Sequence, residues 1–177
     1  MDPAVPAPTA PTSDGRDWTP HVEQLLEEWH KRCYAAQHAH YATADLCRLL
    51  NYLVGVPAVI CASIVGTAIF ADVADKSRIA VGSVSILAAV LAALQTFLRF
   101  SERAASHAAA ADWYSAIRRD IEETLHLPVE YRGSAKECLD TVRKEINRVA
   151  QDAPELSVRA WKREAKRFGV KEPIEIP

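Results

Sequence analysis

Six histidines and four cysteines carry most of the chemical reach of this chain, and their spacing gives them little to do together. His38 and His40 stand two apart, which on a helix turns them to different faces. His21, His30, His107 and His126 have no histidine partner at i+3 or i+4. A metal site is therefore not expected. Cys33, Cys47, Cys61 and Cys138 form no C-x-x-C pair, and Cys61 lies within an apolar run. They read as small buried side chains in a reducing compartment. No G-x-x-x-x-G-K-[ST] loop, G-x-S-x-G elbow or G-x-G-x-x-G turn occurs, so neither a catalytic site nor a cofactor is expected and the chain reads as a non-enzyme. A formal net charge of −2 lacks the basic excess of nucleic-acid binders.

His40 and His107 differ from the other histidines because each falls on an inner helical stripe. The first stripe is Val22, Leu26, Trp29, Cys33, Ala36 and His40. The second is His107, Ala110, Tyr114, Ile117 and Ile121. If these two helices pack antiparallel, the two imidazoles meet partners between them.

The elements that would position them are all helices; composition favours this, with much Ala and few aromatics. Residues 1–17 hold Pro3, Pro6, Pro8 and Pro11 and read as a disordered tail, since so little apolar surface cannot offset ordering entropy. The stretch also lacks a basic region followed by an apolar core, so it does not read as a secretory signal. Thr19-Pro20 starts a helix that no Gly or Pro interrupts before Gly55. Residues 49–70 and 79–98 carry no charge. At 1.5 Å per residue each reaches about 30 Å, the thickness of a bilayer core. A buried pair in a soluble bundle would normally keep a polar stripe, and these runs hold only scattered Ser, Thr, Asn and Gln.

The fold class expected is all-α: a two-helix transmembrane hairpin extended by long cytosolic helices. A domain of residues 18–127 contains spans at about 49–70 and 79–100 and extensions at 20–48 and 101–127. Residues 71–78, ADVADKSR, make the tight connection. Cytosolic helices follow over 128–168, and 169–177 is loose. Lys31, Arg32 and Arg48 before the hairpin and Arg99, Arg103, Arg118 and Arg119 after it place both termini in the cytoplasm by the positive-inside rule. The last helix carries Arg159, Lys162, Arg163, Lys166 and Arg167 on one side, a surface for anionic lipid or an acidic partner, or else simply a solvated face.

Within lipid, helices associate through small residues and hydrogen bonds. Asn51, Gly55, Ala58, Ala62 and Gly66 form such a face on the first span. Ser85, Ala89, Ala92 and Thr96 form one on the second. Both suit pairing within the hairpin or between copies. Pro57 removes one hydrogen bond. Two helices cannot enclose an aqueous path, so conduction would need a homo-oligomer. Ser63, Thr67, Ser85, Gln95 and Thr96 are the candidate lining, or they hydrogen-bond across the hairpin. No charged residue or histidine lies mid-span, which argues against a proton relay.

Several strings resemble the SLATT family of two-transmembrane effectors. They are Trp29 with Arg32-Cys33, His40-Tyr41, Gly55-Val56-Pro57, Ser63-x-x-Gly66, Phe97-Leu98, Glu102-Arg103-Ala104 with His107, and Trp113-Tyr114 with Ile121. The resemblance covers roughly residues 20–127. It marks Trp29, His40, Tyr41, His107 and Trp113 as contacts of the juxtamembrane helices. It implies a bacterial inner-membrane effector of anti-phage or other conflict systems. Such an effector forms a pore or disrupts the membrane, causing cell death or arrest. It also implies a trigger from a separately encoded sensor or nucleotide-signalling partner. Two other functions fit the sequence: a non-conducting scaffold anchoring a cytosolic enzyme, and an accessory subunit of a channel or transporter.

Overall fold

The structure is a computed structural model and describes residues 17–70 and 78–170. The connection expected at 71–78 lies outside the described residues except for Arg78, as does most of each terminal tail. Among the described residues there are helices and no strands, so the chain is all-α. Helix α1 spans Pro20–Phe70, α2 Arg78–Leu98, α3 Phe100–His126, α4 Ala135–Asp152 and α5 Val158–Arg167. One turn of 3-10 helix, Val129–Tyr131, joins α3 to α4.

Helix α1 organises the molecule. Its first half packs along α3, its second half along α2, and α5 lies back against it, while α4 packs on α3. Thr19 caps it, its Oγ1 accepting from the Val22 amide at 3.4 Å. Pro57 sits inside α1 without interrupting it. The aqueous-type core lies entirely in the end formed by the first half of α1 with α3 and α4. There Leu26 and Ile121 are fully buried, joined by Trp18, Cys33, Ile117, Val142 and Val149. Toward the apolar half this gives way to a seam of small side chains. Ala35, Ala39, Ala44, Ala110 and Ala111 are all at 0% exposure. Alanines let two backbones approach closely, and each also favours helix.

Three boundaries fall elsewhere than expected. The second span ends at Leu98 rather than near residue 100, because Arg99 adopts a left-handed conformation, φ 47°, ψ 42°, and separates α2 from α3. The ordered chain begins earlier than expected, because Asp17 belongs to the fold. Its Oδ2 accepts from the Ala135 amide at 2.8 Å and caps α4, a role that the Ser134 side chain leaves open. Nor is the chain loose from 169. Gly169, at φ 65°, closes α5, and the Val170 amide bonds Ala165 O at 2.9 Å.

Arg132 fastens the α3–α4 turn to the start of α1. Its guanidinium donates to Leu127 O at 2.6 Å, to Leu125 O at 2.9 Å and to the Glu23 carboxylate. It also lies 5.2 Å from the Trp18 ring centroid, and Trp18 Nε1 donates to Gly133 O at 2.8 Å.

Candidate functional site

The apolar half of the molecule turns its large side chains outward. Ile79 is 88% exposed, Phe97 81%, Ile86 68% and Val59 67%, with Leu53, Val56, Ile60, Ile64 and Val90 also exposed. No residue of α2 is buried. Both α1 and α2 hold stretches long and apolar enough to cross a membrane.

The half-buried residues of α1 and α2 mix apolar side chains, among them Val54, Val65, Val84 and Leu91, with small and polar ones. Ala58 is buried, and Asn51, Gly55, Gly66, Ser85 and Gln95 are half-buried. Gln95 Nε2 donates to Asn51 Oδ1 at 3.5 Å, and the same nitrogen would stand 2.8 Å from a Cβ at position 55. Glycine at 55 is what lets the amide cross. Ala62, Ala89 and Ala92 are exposed and do not take part in the hairpin contact.

The polar candidates therefore divide. Gln95 and Ser85 face the hairpin interior. Ser63, Thr67 and Thr96 are exposed and bond to their own helices instead of across the hairpin. Ser63 Oγ donates to Val59 O at 2.8 Å, Thr67 Oγ1 to Ser63 O at 2.6 Å, and Thr96 Oγ1 to Ala92 O at 3.0 Å. Each hydroxyl has its donor satisfied by its own helix and keeps its acceptor lone pairs free.

Just beyond the apolar half, the structure brings His40 and His107 together, Nδ1 to Nδ1 at 3.0 Å. One ring must donate and the other accept. Burial, then the neighbouring His107 charge, lowers the His40 pKa to about 4. Burial, then the positive Arg103, lowers that of His107. The Tyr114 ring stacks on His40 at 5.7 Å between centroids. Tyr41 donates to Asp112, one turn further round the same seam. Trp29 is half-buried against the aqueous core. Trp113, by contrast, is 45% exposed and lies outside the α1–α3 seam. It borders a shallow groove toward Glu145 and Arg148 of α4 instead.

Helix α5 keeps all five basic side chains exposed. Two of them fold back on a buried acid: Arg163 Nε donates to Glu164 Oε1 at 2.8 Å and Arg167 to Oε2 at 3.5 Å. Phe168 locks the helix onto α1, with its ring 4.6 Å from Tyr34 and 5.1 Å from His38. Val158, at the start of α5, is 66% exposed.

Asp112, Arg132 and Glu164 were not singled out from sequence. Each is one charge among many, and only the helix packing distinguishes them. Among the described residues no group of three or more His, Cys, Asp or Glu is placed to hold a metal ion. No known family, curated protein or solved structure matches the chain.

Proposed function

We propose that the chain is a two-span membrane effector that works as a homo-oligomer and permeabilises a bacterial inner membrane when a partner protein triggers it. The observation that carries the reading is the outward-facing apolar surface of α1 and α2. In water a continuous surface of that extent would drive association or aggregation. In a bilayer it costs nothing, because lipid tails are as apolar as Leu and Ile. The cytosolic half has its own buried core and most of its charges outside, as a domain in water should. With two spans, both termini lie on one side, and the arginines flanking the hairpin favour the cytoplasm.

Two helices cannot enclose an aqueous path, so conduction requires several copies. The exposed small edge of Ala62, Ser63 and Thr67 on α1, with Ala89, Ala92 and Thr96 on α2, suits close approach of a neighbouring hairpin. It also supplies hydroxyls to a shared centre. The effector role and the sensor or nucleotide-signalling partner rest on the resemblance to the SLATT family. A second reading, a non-conducting scaffold, draws on α5, which offers exposed cations to an acidic partner.

The test is membrane potential, read with a voltage-sensitive dye in a bacterial host during induction, with and without the neighbouring genes. Depolarisation before growth arrest is expected, reduced by Thr96→Val and by Ser63→Ala with Thr67→Val. A steady potential under both conditions, with the protein confirmed in the membrane, rejects the pore. Loss of partner recruitment on reversing the α5 charges would then favour the scaffold.

A further inference from the structure

A cavity of about 580 Å³ opens between α1, α4 and α5, in the half of the molecule that has an aqueous-type core. That volume lies in the range of small-molecule sites. Its walls are mainly apolar, with Trp29, Tyr114, Ile146, Leu156 and Trp161 supplying most of the large surfaces. Three cations border it, Arg32 from α1, Arg143 from α4 and Lys162 from α5, and no carboxylate does. Arg143 is paired with Asp140 at 2.8 Å, whereas Arg32 and Lys162 have no ion-pair partner among the described residues. The indole Nε1 of Trp161 is buried and makes no hydrogen bond. A buried donor without a partner is costly, so such groups are normally satisfied by something.

We propose that this cavity binds a small amphipathic anion, with its apolar body between Trp29 and Trp161 and its carboxylate or phosphate head held by Arg32 and Lys162. The guanidinium fork of Arg32 matches either head bidentately. The floor adds no opposing charge: burial pushes the Cys33 thiol and the Tyr114 hydroxyl up to about 12, so both are neutral at pH 7. The ligand comes from the aqueous phase. The cavity residue on α1 nearest the apolar half is Ala36, about 20 Å along the helix from Leu49. Because the cavity ties α5 and α4 to the helix that continues into the apolar half, occupancy bears on the same α1 that carries the hairpin.

Calorimetric titration of the full chain in lipid nanodiscs tests this, with empty nanodiscs subtracted. Three probes share one apolar body: 2-naphthoate, 2-naphthyl phosphate and neutral 2-naphthalenemethanol. Saturable binding of at least one anion is expected, at least tenfold tighter than the alcohol, and the better anion identifies the head group. Arg32→Gln with Lys162→Gln should weaken the anion tenfold or more and the alcohol less than twofold. Ala150→Trp, at an exposed α4 position lining the cavity, should abolish binding while leaving the helical circular dichroism unchanged. No saturable binding of either anion overturns the proposal. So does equal binding of all three probes untouched by the Arg32 and Lys162 changes, which would make the cavity a contact groove for another protein. Neither result depends on whether the hairpin conducts.

Discussion

His40 and His107 share one hydrogen bond, Nδ1 to Nδ1 at 3.0 Å, at the point where α1 and α3 leave the apolar half of the molecule. Both pKa values are lowered, chiefly by burial, that of His40 to about 4. A lowered value means that the folded state binds the proton less readily than the unfolded chain, whose histidines titrate near 6.5. Stability is therefore full above about pH 6.5 and falls as pH drops toward 4. His30 is lowered as well, by burial first and then by Arg118. Thermal unfolding of the wild type should show a lower Tm at pH 5 than at pH 7.5. His40→Gln with His107→Gln should shrink that difference without removing it, since His30 remains. An unchanged difference would mean that the pair does not titrate in this window.

Gly55 predicts a double-mutant result. A Cβ there would meet Gln95 Nε2 at 2.8 Å, and that amide is already committed to Asn51. Gly55→Ala should displace it and cost about 1 kcal/mol, the scale of one hydrogen bond within a membrane. Alanine's better helix propensity opposes the loss. Gly55→Leu should separate α1 from α2 outright. Gln95→Ala makes the space, so Gly55→Ala should become neutral or stabilising in that background. Unfolding in nanodiscs across the four-variant cycle measures the coupling, and purely additive effects would show that the contact does not hold the hairpin.

Arg132 predicts a large effect far from the hairpin. Its side chain is 9% exposed and serves Leu125 O, Leu127 O and Glu23 at once. Arg132→Ala leaves the part-buried Leu125 O without its donor, at about 1–3 kcal/mol, while the exposed Leu127 O can turn to water. The Glu23 contribution is smaller, because that carboxylate is 40% exposed. A total loss of about 2 kcal/mol is expected, visible as a lower Tm and as protease cleavage between α3 and α4. Arg132→Lys should restore little, since an ammonium cannot span acceptors that the guanidinium fork reaches together. Full rescue by lysine would reduce the role of Arg132 to its charge.

How far sequence reached follows from the range of each interaction. Helices and inner stripes repeat every three to four residues, so Leu26, Cys33, His40, His107 and Ile121 were legible as an inward face. The exclusion of charge from 49–70 and 79–98 was equally local. The facing of Gln95 toward Asn51 and of Thr96 away from it was not legible. That choice depends on how two helices rotate about each other, and both residues sit on neighbouring positions of one turn. Trp113 misled for a related reason: aromatic character predicts burial only where a neighbouring element covers the site. The cavity between α1, α4 and α5 joins residues more than a hundred positions apart, and no periodicity connects them.

Arg99 carries the last prediction. It is the sole non-glycine residue at positive φ among the described residues, and it sits where α2 gives way to α3. For an L-residue the left-handed conformation costs about 1–2 kcal/mol, whereas glycine adopts it freely. Two contacts hold the residue there: its amide bonds Gln95 O at 3.3 Å, and its guanidinium pairs with Glu102. The pair is well exposed and adds little by itself. Arg99→Gly should therefore raise stability by about 1 kcal/mol, while Arg99→Ala, which keeps the strain and loses the pair, should be neutral to slightly destabilising. The break also lies between the hairpin and the end of the molecule that holds the Leu26 and Ile121 core. If a continuous α2–α3 helix is the alternative state, Arg99→Ala should favour it, because it removes the Glu102 pair that holds the bend and keeps the cost of the left-handed conformation. Spin-label distances between positions on α2 and α3 would read the change. A longer distance in Arg99→Ala and an unchanged one in Arg99→Gly would make Arg99 the joint between the two halves. Identical distances in all three proteins would mean that the α1 packing alone fixes the bend.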